Sequence, residues 1–153
     1  MTVEERAGDL FSAATLADAD ALAHGVNCAG AMGRGIAVAF RDRWPAMYED
    51  YRAACRDGRL VPGAVLPWRA PDGPLVYHLG TQKHWRSPAR LPDVRAAVAA
   101  MVAHAAGHGV RRIALPRVAA GLGGLPWEDV RAALREESAA APVVLLVVTP
   151  AGQ

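Results

Sequence analysis

A three-layer α/β/α fold around a mixed, largely parallel sheet is what this sequence predicts, on three observations. Short apolar strands alternate with helical segments along most of the chain, the pattern of a sheet covered by helices. The run from Val143 to Val148 is apolar without interruption, as in strands buried on both faces. Glycine-rich loops follow two of the strands, and open parallel sheets bind ligands at those carboxyl ends. A length of 153 residues and a hydrophobic content of 52% predict a single domain, residues 1–153, with a full core.

The elements follow in order. A first strand precedes Gly8-Asp9-Leu10-Phe11. Leu22 to Asn27 reads as a short buried strand ending at a glycine loop. A helix from about Gly35 to Arg43 stops before Pro45, because the residue preceding a proline avoids the α region. A second helix runs from about Ala46 to Arg56, with Met47, Tyr51 and Ala54 on one face, and Asp57-Gly58 ends it. Ala64 to Trp68 and Leu75 to Thr81 are strand-like and flank the turn cluster Pro71-Asp72-Gly73-Pro74, which predicts a hairpin. Pro92 to Gly107 is helical, with Val94, Val98, Met101, Val102 and Ala105 in one stripe. Arg111 to Pro116 is a strand, followed by a second glycine loop and a helix from Pro126 to about Ala139.

Composition narrows the function classes. With Lys+Arg 17 against Asp+Glu 15, the formal charge of +2 makes no case for nucleic acid by itself. Cys28 and Cys55 make neither a disulfide framework nor a metal cluster. The opening Met1-Thr2-Val3-Glu4-Glu5-Arg6 lacks the apolar core of a signal peptide, and the run Pro142 to Val148 is too short to span a membrane. The expectation is a reduced, soluble, cytoplasmic monomer without a membrane partner, metal or cofactor.

The loop from Gly25 to Phe40 carries the strongest chemical signal. Glycines at 30, 33 and 35 let a backbone come close to a ligand, and the helix that follows opens with unpaired N–H groups that suit a phosphate. The second loop, Pro116-Arg117-Val118-Ala119-Ala120-Gly121-Leu122-Gly123-Gly124-Leu125, leads to Pro126 at a helix start and repeats that design. One such loop is a tight connection; two at strand ends predict a diphosphate clamped between them. Gly30-Ala31-Met32-Gly33-Arg34-Gly35 has the wrong spacing for a dinucleotide fingerprint, and the P-loop lysine is absent.

Lysine usage is the other signal. Of 17 basic residues sixteen are arginine, and Lys83 is the single lysine. An amine can attack carbon, whereas a guanidinium stays charged, so Lys83 is either a chemical residue or one lysine on a solvated loop. It lies in Thr81-Gln82-Lys83-His84-Trp85-Arg86, at the end of a strand. His84 is a ligand contact or a loop residue. Trp85 with Arg86 and Arg90 is a platform for single-stranded nucleic acid or a packed loop anchored by tryptophan. His24 and His78 read as core or sheet-face histidines, and Trp44 and Trp68 as packing. Asp9 accepts a hydrogen bond from an adenine amino group or caps a turn. Asn27 bonds ribose hydroxyls or holds its loop closed.

Taken together, Gly8-Asp9-Leu10, Val26-Asn27 to Ala37 and Pro116 to Leu125 resemble, in order and spacing, the three characteristic segments of a macro domain, the ADP-ribose-binding α/β/α fold. The resemblance covers essentially the whole chain. It implies that Asp9 and Leu10 lie at the adenine and that Met32, Gly33, Arg34, Gly35, Ile36 and Ala37 line one side of the diphosphate. Pro116, Val118, Ala119, Ala120, Gly121, Leu122, Gly123, Gly124 and Leu125 would line the other side, with Asn27 near the distal ribose. Met32 to Ala37 and Thr81 to Arg86 are similar to the branch holding the terminal ADP-ribose protein glycohydrolase and the DNA ADP-ribosyl glycohydrolase antitoxins. In that branch the lysine matching Lys83 is catalytic; His84, Trp85 and Arg86 beside it are candidate substrate contacts on their position alone. The protein-directed enzyme has an aspartate where this chain has Gly123. The resemblance implies a metal-independent ADP-ribosyl hydrolase acting on modified protein carboxylates or on thymine bases in single-stranded DNA. Its alternatives are an ADP-ribose reader and an ADP-ribose 1″-phosphate phosphatase.

Overall fold

The computed structural model describes residues 2–71 and 73–152. In chain order the elements are β1 (Val3–Ala7), α1 (Ala13–Asp18), β2 (Ala21–Asn27), α2 (Ile36–Arg43), α3 (Pro45–Arg56), β3 (Val65–Arg69), β4 (Leu75–Gln82), α4 (Leu91–Gly107), β5 (Arg112–Leu115), α5 (Trp127–Ser138) and β6 (Val144–Thr149). The six strands form one sheet in the order β1-β6-β5-β2-β4-β3. All neighbours are parallel except β3 and β4, which pair antiparallel. The mixed, largely parallel α/β/α fold predicted from sequence is thus the one observed. Asp72 of the expected turn lies outside the described residues, as does Met1.

Alternation along the strands builds two cores, because successive side chains leave a strand on opposite faces. Ala21 and Ala23 of β2, Leu75, Tyr77 and Leu79 of β4, and Leu145 and Val147 of β6 face one way. There they meet Val94, Val98 and Met101 of α4 and Val130 and Leu134 of α5. Leu22 and Val26, Val76, and Leu146 and Val148 face the other way, onto Leu16 of α1, Phe40 of α2, and Met47 and Tyr51 of α3. The helical stripe read between Pro92 and Gly107 is therefore the buried face of α4. Pro67 sits in β3, an edge strand, where a missing N–H costs no ladder bond on the open side.

Two departures from the sequence expectations have local causes. The hydrophobic pattern gives no sign of α1, which has six residues and is held by its cap: the Ser12 hydroxyl accepts the Thr15 N–H at 3.1 Å. Pro126 is the cap of α5 rather than its first helical residue.

The core contains two histidines. His24 of β2 and His78 of β4 are register partners, both fully buried, with ring centroids 5.0 Å apart. His24 stacks on Phe40 at 3.8 Å, and neither of its ring nitrogens has a hydrogen-bond partner among the described residues. His78 Nδ1 lies 3.1 Å from the Leu66 carbonyl. Burial holds His24 well below the usual imidazole value and pushes His78 down to about 4.

These histidines must enter the fold uncharged, which sets a pH dependence. Between the unfolded value of 6.5 and the lower folded values the unfolded chain binds more protons, so stability rises with pH across that window. It is complete above 6.5 and falls as the solution is acidified, by about 3 kcal/mol at pH 4 for His78 alone. Urea midpoints measured from pH 7.5 to 4.5 should drop accordingly. The double variant His24→Leu/His78→Leu should lose most of that slope, and a flat wild-type profile would contradict the assignment.

Candidate functional site

Because β2 lies between β5 and β4, the segments that leave these strands open at the same edge of the sheet. They enclose a cleft of about 760 Å³. Its floor is Gly25 and Val26 of β2 with Thr81 of β4, whose hydroxyl donates to the Val26 carbonyl at 3.4 Å. Thr149 and Pro150, at the end of β6, and Trp127, at the start of α5, close the far side.

The first wall is held by Asn27. Its amide Nδ2 donates to the Ala31 carbonyl at 2.8 Å, and its Oδ1 accepts the N–H groups of Ala29 and Ala31 at 3.1 and 3.2 Å. Tyr51, buried on α3, donates its hydroxyl to the Asn27 carbonyl at 2.5 Å and also lies 3.0 Å from Oδ1. Burial, reinforced by Cys55, drives this phenol far above its ordinary value, so it remains a donor. Of the two roles read for Asn27, the side chain performs the loop-closing one. Past Ala31 the chain turns at Gly35, at φ +63°, and enters α2 with no acidic residue in its first turn. Among the described residues the N–H groups of Gly33, Arg34, Gly35, Ile36 and Ala37 donate to no protein acceptor.

The second wall differs in construction. Val118 donates to Pro116, Ala120 to Arg117, Gly124 to Gly121, and Leu125 to Ala119, which itself sits at φ +61°. These bonds coil the loop and leave the N–H groups of Ala119, Gly121, Leu122 and Gly123 without acceptors among the described residues. A Cβ on Gly123 would lie 2.5 Å from the Ala119 carbonyl oxygen, so this position admits only glycine in the observed loop. The two walls touch, since a Cβ on Gly35 would stand 3.1 Å from Leu122 Cδ1. Unlike α2, α5 carries Glu128 and Asp129 in its first turn. Its N-terminal dipole is therefore already complemented, and the free N–H groups among the lining residues on this side belong to the loop rather than to a helix end. The expectation that the second loop repeats the first is corrected in that respect.

The third wall follows β4. Gln82 Nε2 donates to the Ser87 carbonyl at 2.7 Å, the Ser87 N–H to the His84 carbonyl at 3.0 Å, and the Ala89 N–H to the Gly123 carbonyl at 2.9 Å. The segment thereby runs from the sheet to the second wall.

The structure brings Asn27, Gly33, Arg34, Gly35, Ile36, Ala37, Pro116, Val118, Ala119, Ala120, Gly121, Leu122, Gly123 and Trp85 together around the cleft. Met32 and Leu10 are buried in the core under it, since their apolar side chains gain more there than at a wet rim. Asp9 is exposed beside it and accepts the Phe11 N–H at 2.8 Å, the turn-capping role. Gly124 and Leu125 lie past the turn with their N–H groups committed within the loop. Lys83, His84 and Arg86 stand outside the lining; Lys83 is exposed, between the lining residues Gln82 and Trp85.

Sequence reading missed two residues of note. Arg117 lines the cleft with its guanidinium over Trp127 at 5.2 Å, and its Nε is buried without a partner among the described residues. The signal was present, an arginine inside the loop motif and a tryptophan ten residues on. The lining thus holds two cations, Arg34 and Arg117, and no carboxylate among the described residues. No group of three metal-ligating side chains occurs there or elsewhere among those residues.

The sequence model of the macro domain matches residues 23–134. The chain belongs to the macro-domain family. It is similar to the DNA ADP-ribosyl glycohydrolase of Mycobacterium tuberculosis, with 36% identity over 146 residues that cover 94% of this chain and 40% of that protein. It is also similar to the ADP-ribose glycohydrolase OARD1 of Homo sapiens, with 31% identity over 142 residues covering 93% of this chain and 88% of the relative. The solved macrodomain of Mycobacterium tuberculosis DarG superposes with a TM-score of 0.86 at 34% identity, over 97% of each chain. This macro domain accordingly spans about two fifths of the mycobacterial relative's length.

The two loop glycines of this macro domain should resist a methyl group for different reasons. Gly123→Ala drives Cβ into backbone and should cost about 2 kcal/mol, a thermal midpoint lower by about 4–8 °C in calorimetry. Gly35→Ala meets only the end of a flexible leucine, and its cost of about 1–3 kcal/mol comes from the backbone, since φ +63° with ψ −151° is a conformation kept almost wholly to glycine. A wild-type midpoint for Gly123→Ala would refute the backbone clash.

Proposed function

We propose that this macro domain binds ADP-ribose in the cleft and hydrolyses the bond between C1″ of the distal ribose and an acceptor, either a protein carboxylate or a thymine base of DNA. The observation that carries this reading is a cleft whose lining residues include two sets with unpaired main-chain N–H groups and two arginines, with no acid among the described lining residues. Such a site favours a diphosphate and disfavours the paired-carboxylate chemistry of ordinary glycoside hydrolysis. The names of the mycobacterial and human relatives support the same reading.

In the proposed reaction water adds at C1″, the C1″–acceptor bond breaks through an oxocarbenium-like state, and the bonding pair leaves with the acceptor. Lys83 is assigned to this centre as the residue one step beyond the lining Gln82. As an ammonium it would stabilise or protonate the leaving group. As an amine its Nζ would instead attack C1″ first, expelling the acceptor with the bonding pair, and water would then cleave the C1″–Nζ adduct and return the free amine. The aspartate of the protein-directed branch has no counterpart, because a side chain at 123 collides with Ala119. An acid-assisted release step is therefore left out of the mechanism.

The exposure of Lys83 outside the cleft lining favours a second reading, a reader that binds ADP-ribose without cleaving it. Calorimetric titration with ADP-ribose tests binding, and release of label from a thymidine-modified oligonucleotide and a glutamate-modified protein tests hydrolysis. Lys83→Ala should abolish release while ADP-ribose affinity stays within a few-fold. Lys83→Arg should keep measurable turnover in the charge role and none in the nucleophilic role, where borohydride should also trap a lysine adduct. Unchanged turnover in Lys83→Ala would remove this residue from the mechanism. Label retained by the wild type would leave the reader. Phosphate released from ADP-ribose 1″-phosphate would instead reveal a phosphatase.

A further inference from the structure

Trp85 leaves 48% of its surface exposed while lining the mouth of the cleft. A tryptophan exposed to that degree is unusual, and this one is held in place. The His84 ring lies under it with centroids 3.6 Å apart and planes 30° apart. His84 is fixed in turn, since its Nδ1 accepts the Arg86 N–H at 3.2 Å and its carbonyl accepts the Ser87 N–H at 3.0 Å. The Gln82–Ser87 and Ala89–Gly123 bonds anchor both ends of the segment. The indole is thus braced on one side and stands at a set distance from the loop that faces the cleft.

The charge around it has one sign. Between Gln82 and Arg90 the chain carries Lys83, Arg86 and Arg90 and no acid, and Arg34 lies in the lining across the cleft. All four are exposed, and none pairs with a carboxylate among the described residues. Elsewhere exposed Arg6 pairs with Asp18 at 2.9 Å and half-buried Arg95 with Glu136 at 2.6 Å. Exposed Arg43, Arg69, Arg111 and Arg135 stand unpaired among the described residues but scattered along the chain, so what marks this rim is that its unpaired cations lie beside an exposed aromatic ring. Unneutralised cations beside a braced aromatic face match a single strand of nucleic acid, whose phosphates take the charge and whose bases take the ring. An acidic peptide would answer the cations and leave the indole without a partner.

We propose that Trp85, braced by His84, is the residue that sets acceptor specificity. It stacks on a base of a single-stranded nucleic acid whose modified nucleotide enters the cleft, while Arg86 and Arg90 hold the flanking phosphates. This rests on the hydrolase reading above and selects between its two acceptors. The residue acts on positioning and selectivity, and no bond changes at it.

The test compares kcat/KM for a short single-stranded oligonucleotide carrying ADP-ribose on thymine with that for a glutamate-modified protein. Trp85→Ala and Trp85→Leu should each lower the oligonucleotide-to-protein ratio at least tenfold, within the range of about 5–150-fold expected for one lost base stack. Trp85→Phe should stay within threefold of wild type, because a ring suffices. Arg86→Ala/Arg90→Ala should flatten the loss of oligonucleotide activity between 50 and 200 mM salt. A ratio unmoved by Trp85→Leu, equal losses in the leucine and phenylalanine variants, or a wild type that acts on protein alone would overturn the assignment and leave the hydrolase reading standing. A wild type that does not bind ADP-ribose would overturn both.

Discussion

The central place of β2, paired with β5 on one side and β4 on the other, is the constraint on which the site depends. Parallel pairing on both sides sends the chain out of all three strands at one edge. The two glycine loops and the Lys83–Ala89 segment therefore meet around one space although they are far apart in sequence. A slip of one residue in β2 would turn Leu22 and Val26 to the wrong core and lift Asn27 away from Tyr51. The alternation that places Ala21 and Ala23 against α4 and Leu22 against α2 and α3 makes such a slip costly. The register that packs the core is thus the register that shapes the cleft.

The three walls solve one problem by different means. The first loop is tied by a side chain, Asn27, and passes into a helix whose N-terminus carries no acid. The second is tied by its own main-chain bonds, and the helix after it is complemented by Glu128 and Asp129, so it offers amides rather than a helix end. The third is anchored to the sheet through Gln82 and to the second wall through Ala89. The residues around the cleft thus carry main-chain N–H groups held by the fold and two guanidiniums, with no carboxylate among the described lining. Main-chain donors held by the fold need little reorganisation on binding, which is why glycine-rich loops serve here where charged side chains would have to be ordered.

The same sheet carries a burden below the cleft. His24 and His78 lie one position from the floor residue Gly25 and one from Leu79, enclosed by aromatic rings, and their neutrality is a condition of the fold. Phe40, which stacks on His24, belongs to the helix that the first loop opens. Packing in this core and the position of the first wall are therefore coupled through one helix of eight residues.

Much of the molecule was legible in the sequence because its signals are local. Alternation and helical stripes gave away ten of the eleven elements, and glycines spaced within two loops marked both amide walls. The exception, α1, is short and held by a cap rather than a hydrophobic stripe. The sequence by itself determined the α/β/α class, the two glycine loops at strand ends and the singularity of Lys83. Only the tertiary structure decided which amides remain free, that Asn27 is committed to its own loop, that Gly123 is closed to any side chain, and that Arg117 and Trp127 share the cleft. It also brought Trp85 to the rim with His84 beneath it. Each of these depends on where a segment lands after strands distant in sequence have paired, and no pattern along the chain encodes that distance directly.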